Sequence, residues 1–364
     1  MKSAIIIVLT LLTMSCSSMG SDPDGQRLEI IKQSKQYNLE KESFENSVEI
    51  PLSTGRSFFS IFIDFIADGD NRRPKTALPE DKPEISDLKN KSEDLRFIWF
   101  GHSTLLVDIN KVRLLIDPVF SDYASPVNAF AKRFQSPVLA VNEIPDIDLV
   151  IISHDHYDHL DYETILELKD NDIKYIVPLG VGAHLEGWGV AKEKITELDW
   201  WDKTNVKGLE ISCTPAQHFS GRGLLNGNST LWSSWAIKGK DQNTFFSGDS
   251  GYGEHYKEIG EKLGPFDVVF LENGAYSLGW KFVHQLPEEA VQAFIDLKGQ
   301  KLVPVHWGMF DLALHSWHEP IERVTAEAKK RDIDIITPRL GQLVSIKQKS
   351  VFEDWWSELI HTLK

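Results

Sequence analysis

From Arg96 onward the chain is written in short apolar runs cut by polar or glycine-bearing turns. RFIWF, TLLVDI, VRLLID, IDLVIIS, IKYIVP, LEISCTP, LWSSWAIKG, NTFFSG, FDVVFLE, KLVPVHW and IDIITP are rich in β-branched and aromatic residues, which predicts strands. YETILELK, GEHYKEIGEKLG and PEEAVQAFIDLK carry apolar residues at helical spacing, as does VFEDWWSELIHTLK at the carboxyl end. Strands alternating with helices imply a layered α/β domain. The early part is nearly all strand, so the first sheet should be built largely of strands adjacent in sequence. No repeat of fixed period stands out.

The chain ahead of Arg96 reads differently. MKSAIIIVLTLLTMSC has one positive charge, at Lys2, and an apolar run from Ala4 to Leu12. That run is too short to span a bilayer and has the build of a secretory signal. L-T-M-S-C resembles a bacterial lipobox, which implies lipidation of Cys16. Ser17 after it implies an outer-membrane lipoprotein of the bacterial cell envelope. SDPDGQ and NRRPKTALPEDKPEISDLKNKSEDL are polar and proline-bearing and read as linker or surface wrap. Between them RSFFSIFIDFIADG has the spacing of an amphipathic helix packed on the main domain. The expected division is a signal over 1–16, an extension over 17–95, a catalytic domain over 96–345 and a carboxyl-terminal helix over 346–364.

Composition narrows the function classes. The formal net charge is −15, which argues against nucleic-acid binding. No basic run holds the chain to an anionic membrane, so a lipid tail on Cys16 would supply that contact. The two cysteines, Cys16 and Cys213, are too few for a disulfide scaffold or a cysteine-rich zinc module. Cys213 reads as a small buried hydrophobe.

The chemistry lies in ISHDHYDHLD. His154, His156, Asp158 and His159 follow one apolar strand, and His218, Asp249 and His306 each follow a later one. Ligands in such folds gather at the carboxyl edge of a sheet. Residues two apart in an extended segment point the same way, so His154 and His156 can hold one ion, completed by His218. Asp158 and His159, past the turn, can reach a second, completed by His306, with Asp249 as bridge. Two ions about 3.5–4 Å apart can share a hydroxide. Asp161 suits the N-cap of the next helix. Gly248 and Gly251 let the Asp249 loop come close to the ions.

With these residues in view, the chain resembles the metallo-β-lactamase-fold hydrolases over residues 96–345. WFGHSTLLVD, IDPVFSDYASP, ISHDHYDHLDY, ELDWWD, TPAQHFSGR, FFSGDSGY, PEEAV and VHWG look most like segments of N-acylphosphatidylethanolamine-specific phospholipase D and the bacterial RomA-like outer-membrane proteins. The resemblance implies a four-layer αβ/βα sandwich with metals at its edge. It assigns ligand roles to His154, His156, Asp158, His159, His218, Asp249 and His306, and an active-site role to His284. Asp249, where some lactamases place a cysteine, argues against the antibiotic-cleaving class. Glu272 and Asn273 depart from the phospholipase, which has apolar and small residues there, and its channel-forming amino-terminal segment is not shared.

The expectation is a hydrolase with two zinc ions, the same ligands also serving manganese or iron. Its substrate would be a phospholipid or small phosphodiester. Asp158 would orient or deprotonate the nucleophile, and His284 would donate a proton to the leaving oxygen. The alternatives are a lactonase or other ester hydrolase of the L-ascorbate-6-phosphate lactonase type, and a non-catalytic envelope lipoprotein. Asp117 is expected to brace a ligand histidine, and His102 to be structural or to stand behind a ligand rather than be catalytic. His315 and His318 are expected at a solvent-facing helix start, and Trp200 and Trp201 in packing.

Overall fold

Alternation along the early strands sets the layers. Phe97 and Trp99 face one apolar cluster while Ile98 and Phe100 face another. Leu105, Val107, Leu114 and Ile116 join the first, and Leu106 and Leu115 the second. A strand buried on both faces reads as a continuous apolar run, as these segments do. The computed structural model describes residues 17–51, 71–127, 130–223, 226–348 and 352–361. The signal and lipidation expected over 1–16 and the amphipathic stretch expected within 56–69 lie outside those residues.

A short hairpin, β1 (Tyr37–Asn38) and β2 (Ser43–Phe44), precedes the main sheets. The first sheet has seven strands, and the second has six. The first contains β3 (Arg96–Trp99), β4 (Leu105–Ile109), β5 (Val112–Ile116), β6 (Leu149–Ile151), β7 (Lys174–Pro178) and β8 (Ile195–Leu198) in sequence order, with β15 (Leu343–Ser345) beside β3. The second contains β9 (Lys203–Val206), β10 (Leu209–Thr214), β11 (Ser234–Lys238), β12 (Asn243–Phe246), β13 (Val268–Glu272) and β14 (Leu302–Val305), again in order. Pairing is parallel from β5 to β8 and from β12 to β14, and antiparallel elsewhere.

The helices among the described residues are α1 (Gly25–Ile31), α2 (Ile85–Leu88), α3 (Tyr162–Leu168), α4 (Gly182–Gly187), α5 (His255–Lys262), α6 (Pro287–Asp296), α7 (Glu319–Lys330) and α8 (Trp355–His361). Side chains of α3 and α4 fill the second cluster, over the outer face of the first sheet. The apolar faces of α5 and α6 pack against the second sheet, and α7 packs on α6. Between the sheets lie the inner side chains of both, with Phe97 set edge-on to Phe270 at 5.0 Å between ring centres. Helix, sheet, sheet, helix is the four-layer αβ/βα sandwich.

Two expectations change. IDIITP forms only a single bridge, Ile335 to Leu302, because the edge beyond β14 is met at one residue before the chain turns away. The charged stretch Glu319–Lys330, not expected as a helix in full, is α7. Its apolar residues Ile321, Val324 and Ala328 are spaced for one face against α6.

Candidate metal centre

Every candidate ligand projects from the carboxyl end of a strand. The loop after β6 supplies His154, His156, Asp158 and His159, and the loops after β10, β12 and β14 supply His218, Asp249 and His306. Parallel pairing aligns the ends of β12, β13 and β14, so their loops open on one side. Gly248, at φ 55°, lets the Asp249 loop cross Ser153, whose Cβ would lie 2.6 Å from a side chain there.

Hydrogen bonds behind the histidines set their tautomers. His159 Nδ1 donates to Asp117 Oδ2 at 2.6 Å, and Ser153 N–H donates to Asp117 Oδ1 at 2.7 Å. Ser153 gives its hydroxyl proton to Asp117, so His154 Nδ1 donates to Ser153 Oγ at 2.9 Å. His218 Nδ1 donates to the Val283 carbonyl at 2.8 Å. In each ring the lone pair is left on Nε2, facing inward, as a ligating imidazole requires.

Two groups result. His154, His156, His218 and Asp249 each present one atom, all within 4.8 Å of one another, and so do His102, Asp158, His159 and His306. In the first, His156 Nδ1 lies 2.9 Å from His154 Nε2 and 3.3 Å from His218 Nε2. Asp249 joins the two groups. Its Oδ2 is 3.9 Å from His154 Nε2 and 3.7 Å from His218 Nε2. It is also 3.0 Å from His306 Nε2, while Oδ1 is 3.2 Å from His159 Nε2.

These residues fit a metal on chemical grounds. His159 Nε2, Asp249 Oδ1 and both ring nitrogens of His306 are buried with no hydrogen-bond partner. Buried polar atoms left unpaired are costly, yet His159, Asp249 and His306 each offer one atom to the groups above. Imidazole nitrogens and carboxylate oxygens are the donors that zinc takes, and that manganese and iron also take.

Charge follows the same division. Burial, then the neighbouring imidazoles, hold His154 well below the usual histidine range, the neutral state that ligates. Burial also lowers His306, but the Asp249 and Asp158 carboxylates outweigh it and raise the ring to about 10. A proton and a divalent ion therefore compete for the His306 ring. Burial pushes Asp249 up, but His159 and His306 hold it well below the ordinary carboxylate value.

The structure brings together all seven residues expected as ligands. His284 lies against them, its ring 5.0 Å from that of His218 and 5.2 Å from that of His306. His102 stands behind a candidate ligand, its Nε2 meeting Asp158 Oδ2 at 2.9 Å. Asp161 stands at the N-cap of α3 but makes no capping bond. Its carboxylate instead accepts the Phe120 and Ser121 N–H groups, because that loop is the nearer donor pair. His318 does begin α7, but His315 does not face solvent. It stacks on Tyr276 at 4.5 Å and lines a small cavity with His102 and His306.

Three supporting residues escaped sequence reasoning. Asp155, between two ligand histidines, turns away and accepts from His184 Nε2 at 3.2 Å and Gly221 N–H at 2.7 Å. Arg222 Nη1 donates to the carbonyls of Asp155 at 2.6 Å and Leu160 at 2.8 Å, tying both ends of the ligand loop. Asn46 brackets the His218 backbone, accepting its N–H at 3.0 Å and donating to its carbonyl at 2.8 Å. Asp155 was visible within its motif, but Asn46 carried no signal.

A hydrolase of the metallo-β-lactamase fold, with candidate metal-binding histidine and aspartate groups at the sheet edge, is the class that fold and site define. The family model for the Beta-lactamase superfamily domain matches residues 112–307, and the chain belongs to that family. It is 35% identical to N-acyl-phosphatidylethanolamine-hydrolyzing phospholipase D 1 of Caenorhabditis elegans, over 67% of this chain and 74% of that one. It is 46% identical to the outer membrane protein RomA of Klebsiella pneumoniae, over 28% of this chain and 75% of that one. Among solved structures, the metallo hydrolase Igni18 of Ignicoccus hospitalis superposes with a TM-score of 0.54 at 20% identity. That match covers 70% of this chain and 99% of that one.

Proposed function

We propose that this hydrolase is a dinuclear zinc phosphodiesterase of the N-acylphosphatidylethanolamine phospholipase D type, working on a phospholipid-class diester at the bacterial envelope. The observation that carries this reading is the pair of four-residue groups joined through Asp249. His154, His156 and His218 would hold one ion, Asp158, His159 and His306 the other, and Asp249 both. When bound, two such ions supply water ionised near neutral pH and positive charge for a phosphoryl oxygen.

The remaining work falls to side chains. Asp158, slightly exposed and braced by His102, orients the attacking water and takes its proton. His284, whose ring stands against those of His218 and His306, serves the leaving oxygen. The name of the worm relative supports a phospholipid substrate, and that of the RomA relative supports an envelope location. Geometry at the amino end agrees with a lipid anchor on Cys16. The Ser17 carbonyl accepts from Trp188 Nε1 at 2.8 Å, and the Ser18 carbonyl from Arg222 Nη2 at 2.7 Å. An acyl group one residue earlier would hold the domain directly on the membrane surface. No helix among the described residues is long and apolar enough to cross a membrane.

The test is elemental analysis of the purified zinc-loaded chain, with turnover of bis-p-nitrophenyl phosphate and of N-acylphosphatidylethanolamine, Asp158→Ala alongside. The expected result is about two zinc ions per chain and diester hydrolysis reduced about a hundredfold or more in the variant. Hydrolysis of lactones with none of diesters would overturn the substrate class. A single bound metal would overturn the dinuclear reading.

A further inference from the structure

Glu272 ends β13, and its side chain is completely buried against the metal groups. A carboxylate in such a place is costly unless its oxygens are committed, and here both are. Oε2 accepts His284 Nδ1–H at 2.8 Å, and Oε1 accepts the Gln285 N–H at 2.8 Å. Gln285 Nε2 also donates to the Glu272 carbonyl at 3.0 Å, and the Glu272 N–H donates to Ser247 Oγ at 2.9 Å. The carboxylate is thus fixed by donors on each oxygen and by its own backbone. It grips two successive residues of one loop, and the first of them is His284.

The ring of His284 cannot then choose its tautomer. Nδ1 keeps a proton on Glu272, and Nε2 is left to exchange with the site, where the His218 and His306 rings stand about it. The side chain of His284 is 12% exposed, against 0% for Glu272, so substrate can reach the histidine but not the carboxylate behind it. This is the arrangement by which a buried carboxylate aims a histidine in hydrolases of other folds.

We propose that Glu272 is a positioning residue that acts through His284, and that the pair adapts the site to diesters whose leaving group is an alkoxide. The proposal rests on the phosphodiesterase reading above. Hydroxide derived from water forms a bond to phosphorus, and the bond from phosphorus to the alkyl oxygen breaks. Its electron pair stays on that oxygen, which takes the Nε2 proton and leaves as a neutral alcohol. The ring carries both protons when it donates, Nδ1–H staying on Glu272, and the proton that Asp158 takes from the attacking water passes through solvent to restore the one lost from Nε2. The sum is diester plus water giving phosphomonoester plus alcohol. A p-nitrophenolate leaves without that proton, and an alkoxide does not.

The test uses the zinc-loaded full chain, with bis-p-nitrophenyl phosphate as aryl diester and N-acylphosphatidylethanolamine in micelles as alkyl diester. Glu272→Gln and His284→Gln should each lower alkyl turnover about a hundredfold. The aryl loss should be smaller by about tenfold or more. The double variant should be no worse than His284→Gln. Losses that multiply would overturn the proposal, because Glu272 would then act independently of His284. Equal losses on both diesters would overturn it as well. Nitrogen NMR of histidine-labelled wild type, assigned against His284→Gln, gives a readout apart from turnover. It should place a proton on Nδ1 of His284, and Glu272→Gln should move it to Nε2, because an amide N–H then donates where a carboxylate accepted. An unprotonated Nδ1 in wild type would overturn the proposal even if no variant folds. Absence of turnover on either diester would sink the phosphodiesterase reading and this role with it. Intact alkyl turnover with multiplying losses would sink only the role of Glu272.

Discussion

Asp117 shows how much of the centre depends on atoms that never meet a metal. It is fully buried at φ 40° just past β5, and its two oxygens serve Ser153 N–H and His159 Nδ1. Through the Ser153 hydroxyl it also decides which nitrogen of His154 carries the proton. Asp117→Asn would put an amide N–H where His159 now donates and turn the ring's lone pair away from the ion. The expected result is a zinc affinity lower by about ten- to a hundredfold, read by competition with a chromophoric chelator. An unchanged affinity would mean that His159 is held by packing alone. Residues of this kind divide into the legible and the hidden. The seven candidate ligands could be read because each is a metal-binding type past the end of an apolar strand. Asp117 could be read because it ends β5 before a proline. The pairing of Glu272 with His284 could not, since it depends on where the loops after β13 and before α6 meet.

At the scale of elements, short runs rich in apolar, β-branched and aromatic residues made β3 to β7 and β10 to β14 legible, because most of their residues are buried in apolar clusters. Edge strands such as β9, half-exposed and polar along KTNV, have no such pattern, and α7 hides its apolar stripe among charges. The amino-terminal stretch was the least legible, since its contacts are made by single residues. Ile31, Phe44 and Leu78 enter the inter-sheet core, and the Phe44 N–H donates to the Asn228 carbonyl at 2.8 Å. Asn46, two residues past β2, then clamps His218. Asn46→Ala strands an N–H and a carbonyl on the backbone of a ligand loop. We expect a stability loss of about 1–3 kcal/mol by urea unfolding, and weaker retention during dialysis of one of the two zinc ions proposed for the site. Equal loss of both ions would show that the clamp supports the whole centre rather than the His218 side of it.

Across the whole molecule, the ligand loop is joined to the opposite sheet and to the amino end by one buried network. Asp155 sits at its middle, bonded to His184, Gly221 and the Thr230 hydroxyl, while Arg222 runs from the Asp155 carbonyl to Ser18. In a chain of net charge −15, acid first removes the negative charges, and most lie on the surface. Asp155 is different. Burial pushes its carboxyl up, but the bond and charge of His184, the nearby His156 and the Gly221 N–H outweigh burial and hold it far below the ordinary value. An unfolded aspartate takes its proton near pH 3.9, about the model-peptide value. The folded one binds fewer protons there, so its contribution to stability is fully present above about pH 4 and is lost as pH falls toward the folded value. In the metal-chelated protein, the stability gap between wild type and Asp155→Asn should therefore hold constant from about pH 7 to about pH 5 and close progressively below about pH 4. Urea unfolding across that range measures it. A gap that stays constant down to about pH 3 would mean that the charge of Asp155 contributes nothing. The network would then hold the loop by shape and hydrogen bonding, whichever protonation state the residue has.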